Sequence, residues 1–117
     1  MLNKYIINQL LEIAQDFKGY FQYDTIRGGS RIVLSIGSSK IEAQRISTVY
    51  DTISQKYFSP YVDFMITVNG IVTSFEKVSN SEALEWFKYI ITRTHSREGF
   101  EKALIGIKHR GESNGYR

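Results

Sequence analysis

Apolar residues near the start of the chain recur every three or four positions, the spacing of one buried helix face. The stripe consists of Ile6, Leu10, Ala14 and Phe17, and Ile7 and Leu11 widen it. This pattern predicts a helix over residues 2–17. Gly19 follows, and glycine readily takes the left-handed conformation in which many helices end. We therefore expect the helix to stop at Gly19 and to lead directly into a strand.

The next two segments alternate in a way that favours strands over residues 20–26 and 31–36. Gly28-Gly29 can supply the positive φ angles of a tight hairpin turn between them. With this pair as the loop, one face carries Phe21, Tyr23, Thr25, Ile32, Leu34 and Ile36. The opposite face carries Tyr20, Gln22, Asp24, Ile26, Arg31, Val33 and Ser35.

Residues 39–57 contain a second helical pattern. Ser39 and Glu42 have the spacing of a capping box, in which each side chain accepts from the backbone amide near the other. The expected buried stripe is Ile46, Val49, Tyr50 and Ile53. The segment therefore predicts a helix to about Tyr57, and Pro60 marks the loop that follows it.

Asn69-Gly70 is the strongest short hairpin signal in the chain, and it predicts strands over residues 62–68 and 71–78. The expected core-facing residues are Phe64, Ile66, Val68, Ile71, Thr73 and Phe75. The expected outward residues are Asp63, Met65, Thr67, Val72, Ser74 and Glu76.

Two more helices follow. Ser79-Asn80-Ser81 is expected to cap the first, which runs to about Ile91 and buries Leu84, Phe87 and Ile91. The last helix is expected to start near Ser96 and to bury Phe100, Ala103, Leu104 and Ile107. Its most basic run is Lys102, Lys108, His109 and Arg110. Residues 1–110 then form a single domain, and the polar residues 111–117 form a flexible tail.

Two successive helix–hairpin units, residues 2–36 and 40–78, indicate an α+β fold. The expected order is αββαββα(α), with a four-stranded antiparallel sheet and the helices on one face. The other face of that sheet is then free to meet a ligand, a nucleic acid or a partner.

Composition narrows the function only slightly. At 117 residues, 42% of them hydrophobic, the chain can bury one core. It has no cysteine, which excludes disulfides and thiolate catalysis.

The short apolar runs predict no membrane span, and the N-terminus lacks the pattern of a signal peptide. We therefore expect an intracellular protein, in a bacterial or phage-infected cytoplasm or in an organelle. The net charge of +3 is mildly basic, and many ordinary proteins match it.

The predicted element order resembles that of the LAGLIDADG homing endonucleases. Residues 16–21 (DFKGYF) are similar to the Asp-x-Asp-Gly that ends the family's first helix before a strand with aromatic residues. Residues 36–42 (IGSSKIE) resemble its strand-to-helix passage. Residues 94–108 resemble its His-x-x-x-x-Gly-Leu-x-Lys-Ile segment. The resemblance implies a nucleic-acid-binding sheet face and a homodimer through the first helix, although Ala14 alone is retained among the small contact residues.

The chain departs from this family at Lys18, where relatives have an acid that binds the catalytic divalent metal. An ammonium group repels a cation. The resemblance therefore implies a protein that binds DNA or structured RNA without cleaving it. No catalytic residue, metal ligand or cofactor is expected, and Lys18 would contact a phosphate where relatives hold their metal.

The residues expected to bind nucleic acid are Lys18, Tyr20, Gln22, Arg27, Arg31, Thr67, Ser74, Lys108 and Arg110. Their side chains suit phosphates and base edges. Asp24, Asp63 and Glu76 oppose phosphate, so an ordinary solvated face is an equally good interpretation.

Two other functions stay open. The chain can be a protein-interaction module, such as a phage-type inhibitor of a host enzyme, since this needs only a compact domain with an exposed mixed face. It can also be a Mg²⁺-dependent homing endonuclease with atypical acids, for which Asp16 and Asp24 are candidates. Mg²⁺ is expected only in that case. The sequence contains no phosphate-binding loop and no His/Cys metal cluster.

Overall fold

The computed structural model of the chain describes residues 4–26, 29–46, 49–51, 56–58 and 61–114. In chain order its elements are α1 (Lys4–Asp16), β1 (Tyr20–Ile26), β2 (Gly29–Ile36), β3 (Ser39–Ile46), β4 (Val49–Asp51), β5 (Lys56–Phe58), β6 (Tyr61–Val68), β7 (Ile71–Ser79), α2 (Asn80–Arg93) and α3 (Arg97–Asn114). One antiparallel sheet has the order β1-β2-β3-β6-β7, while β4 and β5 pair with each other. The predicted α+β class is confirmed, but the main sheet has five strands instead of four.

The helices pack on one face of this sheet, as predicted. α1 lies over β1 and β2, α2 over β6 and β7, and α3 over β3 and β6. The apolar stripes of the helices and the inner side chains of the strands form one buried core. Phe64 of β6 links the layers, because its ring centroid lies 4.9 Å from that of Trp86 and 5.4 Å from that of Phe87. We call the opposite side of the sheet the open face.

The faces predicted for β1 and β2 are confirmed, although their register differs. Ile26 pairs with Gly29, so the connection is residues 27–28, which lie outside the described residues. Phe21 consequently pairs with Leu34, where the predicted loop would have paired it with Ile36. Because the difference is two residues and side chains alternate with a period of two, every described side chain keeps its predicted face.

The helix predicted over residues 39–57 is wrong. Residues 39–46 form β3, which pairs with β2 on one side and β6 on the other. Ile41 and Ala43 are fully buried on its inner face, an alternation that suits a central strand. Backbone pairing with β2 and β6 is more favourable here than the helix that the capping pattern of Ser39 and Glu42 would start. The side chains of Ile46, Val49 and Tyr50, and all of Ile53, lie outside the described part of the chain.

Ser39 has a role different from the predicted cap. Its buried hydroxyl accepts a hydrogen bond from the backbone amide of Asn69, at 3.2 Å. Asn69-Gly70 forms the turn between β6 and β7, as predicted, and both residues have positive φ. Ser39 therefore joins the start of β3 to this turn.

A β-bulge changes the faces predicted for β7. Ile66 pairs with Ser74 whereas Thr67 pairs with Val72, so Thr73 is the extra residue. Its hydroxyl donates to the carbonyl of Ile66, at 3.3 Å. One extra residue exchanges the two faces of the strand beyond it. The predicted inward position of Phe75 and outward position of Ser74 are therefore both wrong: Phe75 is 75% exposed and Ser74 only 7%.

The helices begin near their predicted caps. The Ser79 hydroxyl accepts from the amide of Glu82 at the start of α2, and that of Ser96 accepts from Gly99 at the start of α3. Among the α3 side chains that the structure describes, residues 97–107, the buried ones are the four predicted, and the helix continues to Asn114. In α2 the buried stripe is Ala83, Trp86, Phe87 and Ile90, with Leu84 and Ile91 half-buried. None of the helices in the described ranges is long and apolar enough to cross a membrane.

Candidate nucleic-acid interface

Lys18 and Gly19 carry the chain from α1 into β1. The amide of Gly19 donates to the carbonyl of Ala14 at 2.7 Å, and the amide of Lys18 donates to Gln15 at 3.4 Å. This pair of bonds defines a Schellman motif. Lys18 has φ of +54°, so the lysine, and not the predicted glycine, occupies the left-handed position. That conformation costs an L-residue about 1–2 kcal/mol.

Gly19 is needed for a different reason. A Cβ atom at this position would clash with the backbone carbonyl oxygen of Ser35 and would lie 3.0 Å from Cγ1 of Ile36. The end of α1 therefore packs directly against the backbone of β2. This contact fixes the position of Lys18 on the surface. The exposed Lys18 side chain lies at the rim of a groove shared with the loop before α3.

Two grooves of about 520 Å³ each meet at His95, between the ends of α1 and α2 and the start of α3. Arg93 and Lys102 line one groove, and Lys18 and Arg97 line the other. We call this surface the basic end and define it by Lys18, Arg93, His95, Arg97 and Lys102. The second groove also contains Asp16 and Glu98, so the four lysines and arginines outnumber the acids in the two linings.

Both arginines of the basic end are held in place by the protein. The guanidinium of Arg93 stacks over the ring of Tyr89, with its central carbon 4.6 Å from the ring centroid. Arg97 donates from Nη2 to the backbone carbonyl of Phe17, at 3.0 Å. This bond ties the first turn of α3 to a carbonyl just beyond α1. Each guanidinium has five N–H donors, so both retain donors for an anion.

Two cations of the open face are paired with acids. Arg31 of β2 forms an ion pair with Glu42 of β3, and Nζ of Lys77 lies 3.9 Å from Oδ1 of Asp63. Gln22 donates to the carboxylate of Asp24 on the same strand. Arg31 and Lys77 each lie beside an acid on this face, and Arg31 would have to leave Glu42 to bind a phosphate. Lys40, opposite Thr67 of β6, is a further cation of the same face.

The structure divides the predicted binding residues among several locations. Tyr20, Gln22, Arg31 and Thr67 lie on the open face, as expected. Lys18 lies at the basic end. Ser74 is buried on the helix-covered face, so its predicted position was wrong. Arg27 and the side chains of Lys108 and Arg110 lie outside the described residues.

Arg93 and Arg97 were not predicted to belong to a site. They lie on different helices, and Lys18 is far from both in the sequence. No local spacing connects Lys18 to the two arginines, because only the packing of α1 against the α2–α3 junction brings it beside them. A detectable signal was the basic Arg93-Thr94-His95-Ser96-Arg97 segment between two predicted helices.

Within the described residues, no group of three or more His, Cys, Asp or Glu side chains is arranged to hold a metal ion. Asp24 and Glu76 are two acids that the sequence places together on the open face. The bulge turns Glu76 to the opposite face, where it accepts a hydrogen bond from Ser74 at 3.0 Å. The two carboxylates therefore do not share a site.

Comparison with known protein families, curated proteins and solved structures finds no significant match for this chain. The resemblance to the LAGLIDADG family stays a prediction from short sequence segments. The element order expected with it is not observed, because β3 occupies the start of the expected second helix.

Proposed function

We propose that this chain binds the phosphate backbone of DNA or RNA through the basic end, without cleaving the strand. The observation that carries the proposal is the convergence of Lys18, Arg93, Arg97 and Lys102 on two adjoining grooves. Contacts from lysine and arginine to phosphate supply most of the sequence-independent affinity of nucleic-acid-binding proteins.

The organisation of the basic end supports phosphate binding. Arg93 is stacked on Tyr89 and Arg97 is anchored to Phe17, so less side-chain freedom is lost when either binds a ligand. The grooves also lie beside the first turn of α3, an 18-residue helix whose N-terminus adds partial positive charge. Both features favour an anion at this end over the open face, where Arg31 and Lys77 are paired with acids.

The proposal keeps the predicted role of Lys18 and moves the interface away from the sheet. Apart from Lys18, the residues of the basic end lie outside the set expected to bind nucleic acid, so the grouping of these cations is independent of the family resemblance. Tyr20, Gln22, Arg31 and Thr67 remain a predicted alternative interface, which variants of the two surfaces can distinguish.

A mobility-shift titration with duplex DNA and with structured RNA, each at two salt concentrations, tests this function. If all four cations contact phosphates of duplex DNA, the slope of log K against log salt should be about −3.6. The polymer that is bound with the higher affinity is the preferred one. Failure to bind either polymer at low salt would refute the proposal, and strand cleavage in the presence of Mg²⁺ would refute its non-cleaving part.

A further inference from the structure

The open face contains an exposed apolar area at β6 and β7. Phe75 is 75% exposed and Val72 is 46% exposed, and Met65 pairs with Phe75 across the two strands. We call these three residues the Phe75 patch. Single exposed apolar residues are ordinary, but a cluster on one face is typical of contact surfaces. The register shift at the bulge turns Phe75 toward solvent.

A groove of about 230 Å³ lies directly beside Phe75. Met65 contributes apolar surface to it, and Glu42 and Asp63 contribute carboxylates. Lys77 follows Phe75 by two residues on the same strand face, and its side chain is 66% exposed. The patch thus contains a projecting aromatic ring next to a cation, and a recess next to two acids.

We propose that the Phe75 patch is the contact surface between two copies of this chain. The open faces meet, Phe75 of each copy fills the groove beside Phe75 of the other, and Lys77 of each faces Asp63 and Glu42 of the other. A two-fold axis satisfies both halves of this arrangement at once, because the same surface carries the projection and the recess. Any other partner would have to supply both features itself.

Charge complementarity supports the second copy as the occupant. Lys77 and Asp63 are both well exposed, and their 3.9 Å separation within one chain is a loose ion pair. Exposed pairs of this kind contribute little, so exchanging partners between copies is inexpensive. The contact also leaves the basic end uncovered, since the helices lie on the other side of the sheet.

The first helix exposes less apolar surface for a dimer interface than the sequence predicted. Ile6, Leu10, Ile13 and Ala14 are buried in the core of their own chain. Tyr5 and Leu11 are the large apolar side chains that α1 exposes among the described residues. Leu11 therefore serves as the matched position for testing the α1 interface.

Sedimentation velocity of the full chain, at concentrations up to about 1 mM, measures the association. We expect a dimer, and Phe75→Ser should raise its Kd at least about tenfold, as for a central aromatic contact. Leu11→Ser should leave the Kd unchanged. A wild-type chain that stays monomeric over this range would overturn the proposal, even if the Phe75 patch binds a different protein. A dimer lost in Leu11→Ser and retained in Phe75→Ser would also overturn it.

Mixing two charge variants tests the contact in a way that loss of folding cannot imitate. Lys77→Glu chains should associate poorly with themselves because the introduced carboxylate would face Asp63 of the other copy. Asp63→Lys chains should also associate poorly because the introduced ammonium group would face Lys77. An equimolar mixture should form dimers more strongly than either variant alone, because one pair of opposite charges forms on each side. If the mixture associates no better than the separate variants, the proposed pairing across the interface is wrong.

Discussion

The open face and the basic end both contain lysine and arginine, but the two surfaces differ in how those charges are partnered. On the open face, neighbouring strands place Arg31 beside Glu42 and Lys77 beside Asp63. Lys77 and Asp63 lie directly opposite each other, where side chains are about 5 Å apart. Arg31 lies opposite Gln44 and reaches Glu42 diagonally, a distance that a long side chain can span. The number of cations on a surface is therefore a poor guide to its attraction for phosphate.

The basic end is built from the ends of helices instead of a ladder of strands. Arg93 stacks on an aromatic ring and Arg97 binds a backbone carbonyl, so neither contact neutralises the cation. Helix termini from distant parts of the chain converge without a regular register that would match each cation with an acid. Three kinds of variant test this difference. They change the backbone packing that positions the basic end, the cations of each surface, or the ion pairs of the open face.

The largest expected effect comes from breaking the support of the basic end. Gly19→Ala places a methyl group against the Ser35 carbonyl, and a backbone atom in a sheet cannot easily move away. We expect the free energy of unfolding to fall by about 1–3 kcal/mol, as in overpacked sites. Urea denaturation measures this change. Lys18→Ala, one residue earlier and without this clash, is the control, and an equal loss in both variants would contradict the close-packing argument.

Removing two cations from one surface at a time tests the comparison directly. Arg93→Gln combined with Lys102→Gln should lower nucleic-acid affinity about 10- to 100-fold at low salt and reduce the salt slope by about two. The matched control, Lys40→Gln combined with Lys77→Gln, removes the same charge from the open face and should have a much smaller effect. Mobility-shift titrations at two salt concentrations measure both. The opposite ranking would assign the interface to the sheet.

Lys18 can be replaced in two ways that separate its charge from its backbone conformation. Lys18→Ala and Lys18→Gly both remove one cation, so each should weaken binding on all sequences alike and reduce the salt slope by about one. Only glycine relieves the positive φ of +54°, so Lys18→Gly should be more stable than Lys18→Ala by about 1 kcal/mol. Thermal or urea unfolding measures that difference. Equal stability of the two variants would contradict the strain, and unchanged binding would make Lys18 an ordinary surface lysine.

The smallest expected effect tests the partnering of the open face. Glu42→Gln releases Arg31 from its ion pair, which should raise nucleic-acid affinity about threefold at low salt, an effect that salt screens. Glu12→Gln on α1 makes the same change in net charge without altering the open face. If the two variants bind equally, net charge alone explains the gain and the Arg31–Glu42 pairing has no influence.

Patterns between close neighbours in the sequence predicted a substantial part of this fold. The periodicity of α1, the alternation of β1 and β2, the Asn69-Gly70 turn and the serines before α2 and α3 all correspond to observed features. Their preferences arise within a few residues of the chain, through capping bonds, turn angles and the alternation of side chains. The open face and its residues on β1 and β2 followed from the same local rules.

Tertiary structure decided the features that depend on distant partners. Residues 39–46 have a local helix-capping pattern, yet they form a strand because β2 and β6 pair with them on both sides. The extra residue at Thr73 determines which face Phe75 occupies, and no residue pattern in the sequence predicted this bulge. The basic end exists because the end of α1 packs beside the segment between α2 and α3, which places Lys18 near Arg93 and Arg97. The sequence by itself determined the local conformations, whereas long-range pairing and packing determined which side chains share a surface.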